Sequence, residues 1–355
     1  MGRGGIESFM MNYYRHFDRT KIQIDFVVHG FEKSYYDEEI KELGGNLYHV
    51  PIKSIDYKGN VIALKEIICS KKYNIIHSHM DAMSFIPLKI AKQAKVPYRI
   101  AHSHNTNHLT NNSLKILFNE YARFSLRKQA THFFACSNQA GKWLFGNTLF
   151  EKKGMVINNA IETKNFLFDL DIRNKIRIDL DIKDKFVIGH VGRFDYQKNH
   201  VFLIEIFQEV LKIKENALLV LVGEGHLQKD IKKKVNDLGL NDKIIFLGSR
   251  SDVNQLLNAF DVFLLPSQFE GLGIALIESQ TNGLPTFVSN AVPKDVAITN
   301  LISFKPLDNA REWVYDILEA KRDFYTDMDI EITRKGYDIV SEAKKLEDFY
   351  SKLMI

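Results

Sequence analysis

Two cysteines, two tryptophans and seven prolines are all that 355 residues hold of those types. Cys69 and Cys136 lie far apart with no metal-ligand spacing around them. This excludes a disulfide framework and a thiolate metal site, and reads as reduced core thiols in a cytosolic protein. Long apolar runs are missing too. The longest have strand length, so no membrane-crossing helix is expected, and the first residues lack the apolar core of a signal peptide. No basic run with interleaved aromatics is present, which argues against a nucleic-acid partner. Asp-x-Asp pairs occur at 169–171, 179–181 and 327–329, in helical or linker sequence rather than at strand ends, and read as solvated charges. No metal site is therefore assigned, and no cofactor. Gly223-Glu-Gly225 opens a dinucleotide fingerprint, but Gln228 stands where its third glycine belongs, so an NAD site is not expected. The Asn111-Asn-Ser113 sequon has no meaning without secretion.

What is present is ordinary globular composition, 45% hydrophobic and 26% charged, on a chain longer than one core usually serves. Charge is uneven: residues 1–160 hold 22 Lys and Arg against 13 Asp and Glu, within a total of +4. A basic first half suits either an anionic membrane surface or no partner at all. Apolar runs near 22–29, 46–51, 73–79, 98–104 and 130–136 alternate with helical patterns, then again near 186–192, 217–222, 243–248, 261–266 and 285–289. The alternation predicts two parallel, doubly wound sheets with a boundary near 155–165. In the predicted helix 200–213, Phe202, Leu203, Ile206, Phe207, Val210 and Leu211 recur at helical spacing, as core.

Glu270-Gly-Leu-Gly-Ile-Ala-Leu-Ile-Glu278 follows the strand-like run Val262–Pro266. Gly271, Leu272 and Gly273 bring bare backbone N–H groups and the positive dipole end to the start of a helix, where an anion such as a diphosphate is favoured. Glu278 falls about four residues into that helix, roughly 6 Å along its axis, which matches the step from a diphosphate to a ribose. Glu270 faces the other way. The spacing describes a sugar-nucleotide cradle, or else a plain strand-turn-helix with solvated or capping acids. A second strand, Phe186–Val191, ends in Gly192, with Arg193 and Lys198 bracketing the loop beyond. A guanidinium fork and a point charge suit a diphosphate. In the first half, His77 and His79 alternate at one strand end, and His102 and His104 at the next. Each pair shares a face at the carboxyl edge, where open α/β sheets bind ligands. No cysteine or carboxylate is expected beside them to complete a zinc site.

Together these elements resemble the retaining glycosyltransferases of family 4, of the bacterial capsule and exopolysaccharide type. The carrying residues are Gly4-Gly-Ile-Glu7, His77-Ser-His79, Arg99–Asn105, Ala135-Cys-Ser137, Gly192-Arg193 with Lys198, Gly223-Glu-Gly225 and the element ending at Glu278. The resemblance covers nearly the whole chain. It implies the GT-B fold, two Rossmann-like domains facing a cleft: 1–160 for the acceptor, 161–338 for the donor, and 339–355 a helix returning to the first. It implies metal-free transfer of a hexose or N-acetylhexosamine, most simply from a UDP-sugar, to a glycan or lipid-linked acceptor in the cytoplasm, at the inner face of the membrane. Arg193 and Lys198 would meet the diphosphate, Glu270 the sugar hydroxyls and Glu278 the ribose, while Gly5 lets backbone approach the diphosphate. His104 would lie beside the anomeric carbon, with His79 and Asn105 on the acceptor side, and His77 and His102 remain in the core. Rival readings are a sugar-nucleotide epimerase and a non-catalytic partner subunit.

Family members open with a short apolar strand before the Gly-Gly turn, whereas this sequence opens at Met1-Gly-Arg-Gly4. An upstream strand is therefore expected, and without it a gap beside residues 22–29 and 73–79.

Overall fold

The computed structural model describes residues 4–108, 110, 112–322 and 328–354. Asp327 of the third Asp-x-Asp pair, Asn111 of the sequon and residues 1–3 of the opening turn lie outside that set. The chain divides into two compact units, residues 1–159 with 339–355, and residues 160–338.

The first unit carries β1 (Phe26–His29), β2 (Leu47–Val50), β3 (Ile75–Ser78), β4 (Tyr98–Ser103), β5 (His132–Ala135) and β6 (Gly154–Val156). All pairings are parallel, as the intervening helices require. They fall into two sheets, β1-β2 and β3-β4-β5-β6. Among the described residues β1 and β3 have no pairing with each other, so the break falls at the expected gap. The Ile339–Met354 helix packs on the Gly5–His16 helix within this unit. There the buried carboxylate of Glu347 accepts the Asp18 N–H at 2.7 Å, and Phe17 and Tyr350 meet edge to face.

The second unit holds one six-stranded parallel sheet built from β7 (Phe186–Val191), β8 (Ala217–Val222), β9 (Ile244–Gly248), β10 (Val262–Leu265), β11 (Thr286–Ser289) and β12 (Ile302–Lys305). Their order is β12-β11-β10-β7-β8-β9, so the direction reverses at β7 and opens a crevice at the ends of β7 and β10. β12 escaped the sequence reading because Ile302–Lys305 is short and only half-buried. The core gathers Leu219, Leu221, Val262 and Leu264 with Phe202, Leu203, Phe207, Val210 and Trp313. The first two Asp-x-Asp pairs have local duties or none: Asp169 caps the Leu170–Asp179 helix through Asp171 N–H and Ile172 N–H. Cys69 corrects one expectation, since it is exposed rather than in the core, while Cys136 is buried, and the two form no disulfide.

Gly189 sits mid-strand in β7, where a side chain would normally help. Phe260 takes the space: a Cβ at Gly189 would lie 1.9 Å from its ring. Gly189→Ala should therefore cost about 1–3 kcal/mol in urea unfolding, as overpacking does; a variant of unchanged midpoint would show that the ring yields freely.

Candidate functional site

In the second unit the loops after β7 and β10 are tied together. Gln268 N–H donates to the Gln197 carbonyl at 2.8 Å, and Gln197 Nε2 donates to the Phe269 carbonyl at 3.0 Å and to Glu270 at 3.2 Å. Glu270 is 4% exposed. It accepts from Lys198 Nζ at 2.5 Å and from Ser267 Oγ at 2.7 Å. Lys198 and Glu270, assigned from sequence to different parts of a ligand, thus pair with each other. Sequence reasoning missed Gln197 and Ser267, whose only signal was their place inside the two loops.

Beneath Lys198 the packing is aromatic. Phe194 stacks on His200 at 4.0 Å between ring centroids, and His200 meets His190 edge to face at 4.7 Å. Burial pushes His190 down to about 4 and His200 to about 2, so both are neutral near pH 7 and add no charge below the loop. Gly223 follows β8 at φ +136°, and a Cβ there would lie 2.1 Å from the Gly192 carbonyl. The Gly223-Glu-Gly225 run thus lets one strand end close against the loop after Gly192. Arg193, next along that loop, is exposed and makes no ion pair among the described residues.

The loop after β10 ends at Gly273, φ +84°, which precedes the Ile274–Thr281 helix. Gly271 and Leu272 are buried in its approach. Glu278 is the fifth residue of that helix, half-buried, and among the described residues its carboxylate has no hydrogen-bond or ion-pair partner. Confinement in protein pushes it up to about 7.

In the first unit all four histidines meet. His79 Nδ1 and His104 Nε2 share a hydrogen at 2.9 Å, His77 Nε2 and His102 Nδ1 at 3.1 Å, and His77 Nδ1 meets the Tyr350 hydroxyl at 2.6 Å. Phe9 closes over His102 and His104. Burial, then mutual repulsion, holds His77, His102 and His104 well below their ordinary range, and burial takes His79 down to about 3. His77, His79 and His102 hold ligand atoms within 4.8 Å of one another, the one such trio among the described residues. Among the described residues no cysteine or carboxylate joins that trio. Asp81, two residues past His79 and held at φ 46°, accepts His104 N–H at 2.7 Å and Asn105 Nδ2 at 2.8 Å. Burial pushes its carboxyl up to about 6. Gly5 opens the first helix, exposed, and a Cβ there would meet nothing within 4 Å.

Comparison with solved structures gives the class first. Anabaena HepE in complex with UDP-glucose superposes with TM-score 0.80, covering 98% of this chain and 96% of its own, at 17% identity. WaaG, a glycosyltransferase involved in lipopolysaccharide biosynthesis, does so with TM-score 0.67 at 15% identity and the same coverage. Likeness at that identity establishes the fold, GT-B. The description "Glycosyltransferase Family 4" matches residues 3–165, and "Glycosyl transferases group 1" matches residues 172–320. EpsF of Bacillus subtilis (strain 168), named as a glycosyltransferase, is 31% identical over 99% of this chain and 94% of its own length. The Escherichia coli UDP-Gal:alpha-D-GlcNAc-diphosphoundecaprenol alpha-1,3-galactosyltransferase is 26% identical over 83% and 80%. Staphylococcus aureus CapH, a capsular polysaccharide biosynthesis glycosyltransferase, is 27% identical over 82% and 79%. The chain belongs to glycosyltransferase family 4, and it is a glycosyltransferase.

Glu278 gives a pH signature. Its folded pKa is raised, so the folded state holds the proton more tightly, and stability is greatest below the unfolded carboxyl range and falls as pH rises toward 7. Glu278→Gln should therefore melt higher than the parent at pH 8 and alike at pH 4. Parallel melting profiles across that range would refute an unpaired carboxylate.

Proposed function

We propose that this glycosyltransferase moves a hexose or N-acetylhexosamine from a UDP-sugar to a glycan or lipid-linked acceptor in bacterial surface polysaccharide synthesis, with retention of anomeric configuration and without a metal ion. The observation that carries the donor assignment is the confined Lys198–Glu270 pair, which ties the loop that carries the exposed Arg193 to the loop that leads into the helix of the unpartnered Glu278. Support for UDP comes from HepE, solved with UDP-glucose. Support for the acceptor comes from relatives whose names carry capsular polysaccharide and diphosphoundecaprenol. A lipid-linked acceptor is met at a membrane surface, and the basic first unit suits anionic headgroups.

Each residue then has a chemical duty. The nucleotide diphosphate leaves with its charge met by Arg193, Lys198 and the helix N-terminus through Gly271, Leu272 and Gly273, oriented donors that lower the barrier only as charge develops. Gly192 keeps the loop low enough for its backbone to approach the phosphates. Glu270, held by Lys198, Ser267 and Gln197, takes the donor sugar hydroxyls, and Glu278 the ribose hydroxyls. The departing phosphate accepts the acceptor's proton, so no separate base is required. Family likeness adds the first-unit roles: Gly5 for backbone approach to the diphosphate, His104 beside the anomeric carbon, and His79 and Asn105 toward the acceptor. Of the described pairs, Asp169 caps a helix and Asp181 sits in a turn at φ 55°, which supports the metal-free reading.

Arg193→Ala and Lys198→Ala should each lower turnover about 10²–10³-fold, as loss of one oriented donor does, with folding intact by circular dichroism for Arg193→Ala. Full activity in both variants would sink the donor assignment. Activity should also survive EDTA; if chelation abolished transfer and manganese restored it, the metal-free chemistry would be wrong.

A further inference from the structure

The histidine cluster of the first unit has the makings of a second kind of site. His77 and His79 stand at the carboxyl end of β3, and His102 lies in β4, the strand beside it. Ligand atoms of these three residues fall within 4.8 Å of one another. Around a zinc ion with bonds of about 2.0–2.1 Å, tetrahedral nitrogens stand about 3.3 Å apart, so the widest separation need shrink by only roughly 1.5 Å. His77 Nε2 and His102 Nδ1 are already 3.1 Å apart. His102 is fully buried, and its Nε2 has no hydrogen-bond partner. Native proteins rarely leave such an atom alone, and a bound ion is one way of satisfying it. His77 also has the outer contact typical of a metal ligand, its Nδ1 meeting the Tyr350 hydroxyl at 2.6 Å. Burial keeps the three rings neutral, the form in which imidazole binds a metal.

We propose that His77, His79 and His102 bind a divalent ion of zinc's class, which ties β3 to β4. Imidazole nitrogens favour zinc, nickel or copper over magnesium and calcium, and three histidines suit a tetrahedral ion whose fourth position takes water. Asp81 is engaged by His104 N–H and Asn105 Nδ2, so the ligand set is the three imidazoles. The tie has a structural use. Among the described residues β3 is an edge strand, paired with β4 but not with β1, so backbone hydrogen bonds hold it from one side only. A metal bond from its carboxyl end to β4 secures that edge. His77 and His79 are half-buried rather than sealed, which leaves the ion a path in. The ion belongs to the first unit and takes no part in the donor chemistry proposed above. Transfer without a metal and zinc binding are therefore separate questions with separate readouts.

Calorimetric titration of the untagged, EDTA-treated and dialysed protein with zinc chloride measures it directly. One zinc ion should bind per chain, and the melting temperature should rise with zinc but not with magnesium. Cobalt in place of zinc should show the strong visible bands of a tetrahedral ion. His79→Gln and His102→Gln should each weaken zinc binding roughly a hundredfold or more, and Tyr350→Phe about tenfold, as loss of an outer partner does. His226→Gln, on the exposed surface of the second unit, should bind as the parent does. If the buried His102→Gln fails the circular dichroism check, His79→Gln and Tyr350→Phe decide the matter. No zinc binding by the parent, an octahedral cobalt spectrum, or parental affinity in His79→Gln overturns the proposal.

Discussion

The ion pair between Lys198 and Glu270 is the interaction that joins the loops after β7 and β10 at the carboxyl edge of the second unit's sheet. Its carboxylate is nearly enclosed, so removing either partner strands a charge in protein, a far larger penalty than loss of a surface bridge. Gln197 and Ser267 complete the hydrogen bonding, and the pair thereby fixes the spacing of the loops after β7 and β10. The neutral histidines below give it no competing partner. An enzyme that must separate a sugar from a diphosphate gains from charges held in place beforehand, because they need no reorganisation as the bond breaks.

The first unit uses a different device. Four imidazoles, all kept neutral by burial, form two hydrogen-bonded pairs closed by Phe9 and Tyr350. Asp81 fixes the backbone of His104 and the side chain of Asn105. The imidazoles of this wall are neutral, while Asp81, its carboxyl pushed up to about 6 by burial, carries charge beside them near pH 7.

Much of this was legible in the residues. Strand positions followed from apolar runs bounded by turns, and doubly wound topology from their alternation with helices. The helix start at Gly273 and the place of Glu278 within that helix were visible as spacing. Pairing was not. That Lys198 meets Glu270 depends on the crossover that sets β7 beside β10, a tertiary fact with no local signature. Tyr350 reaches His77 only because the last helix returns to the first unit. Asp81 was overlooked because it lies just past the strand, in a left-handed conformation uncommon for an aspartate. The interruption between β1 and β3 was anticipated from the family resemblance, whose members carry an apolar strand ahead of the Gly-Gly turn.

The central claim is that Lys198 and Glu270 act as one unit in holding the donor. A double-mutant cycle on UDP-glucose binding by calorimetry, using Lys198→Ala, Glu270→Ala and the double variant, measures that coupling. The account predicts an interaction energy above about 1 kcal/mol, because the second substitution removes a charge that the first has already stranded. Additive losses within about 0.5 kcal/mol would mean that the two side chains serve independent purposes, contradicting the arrangement from which the function has been argued.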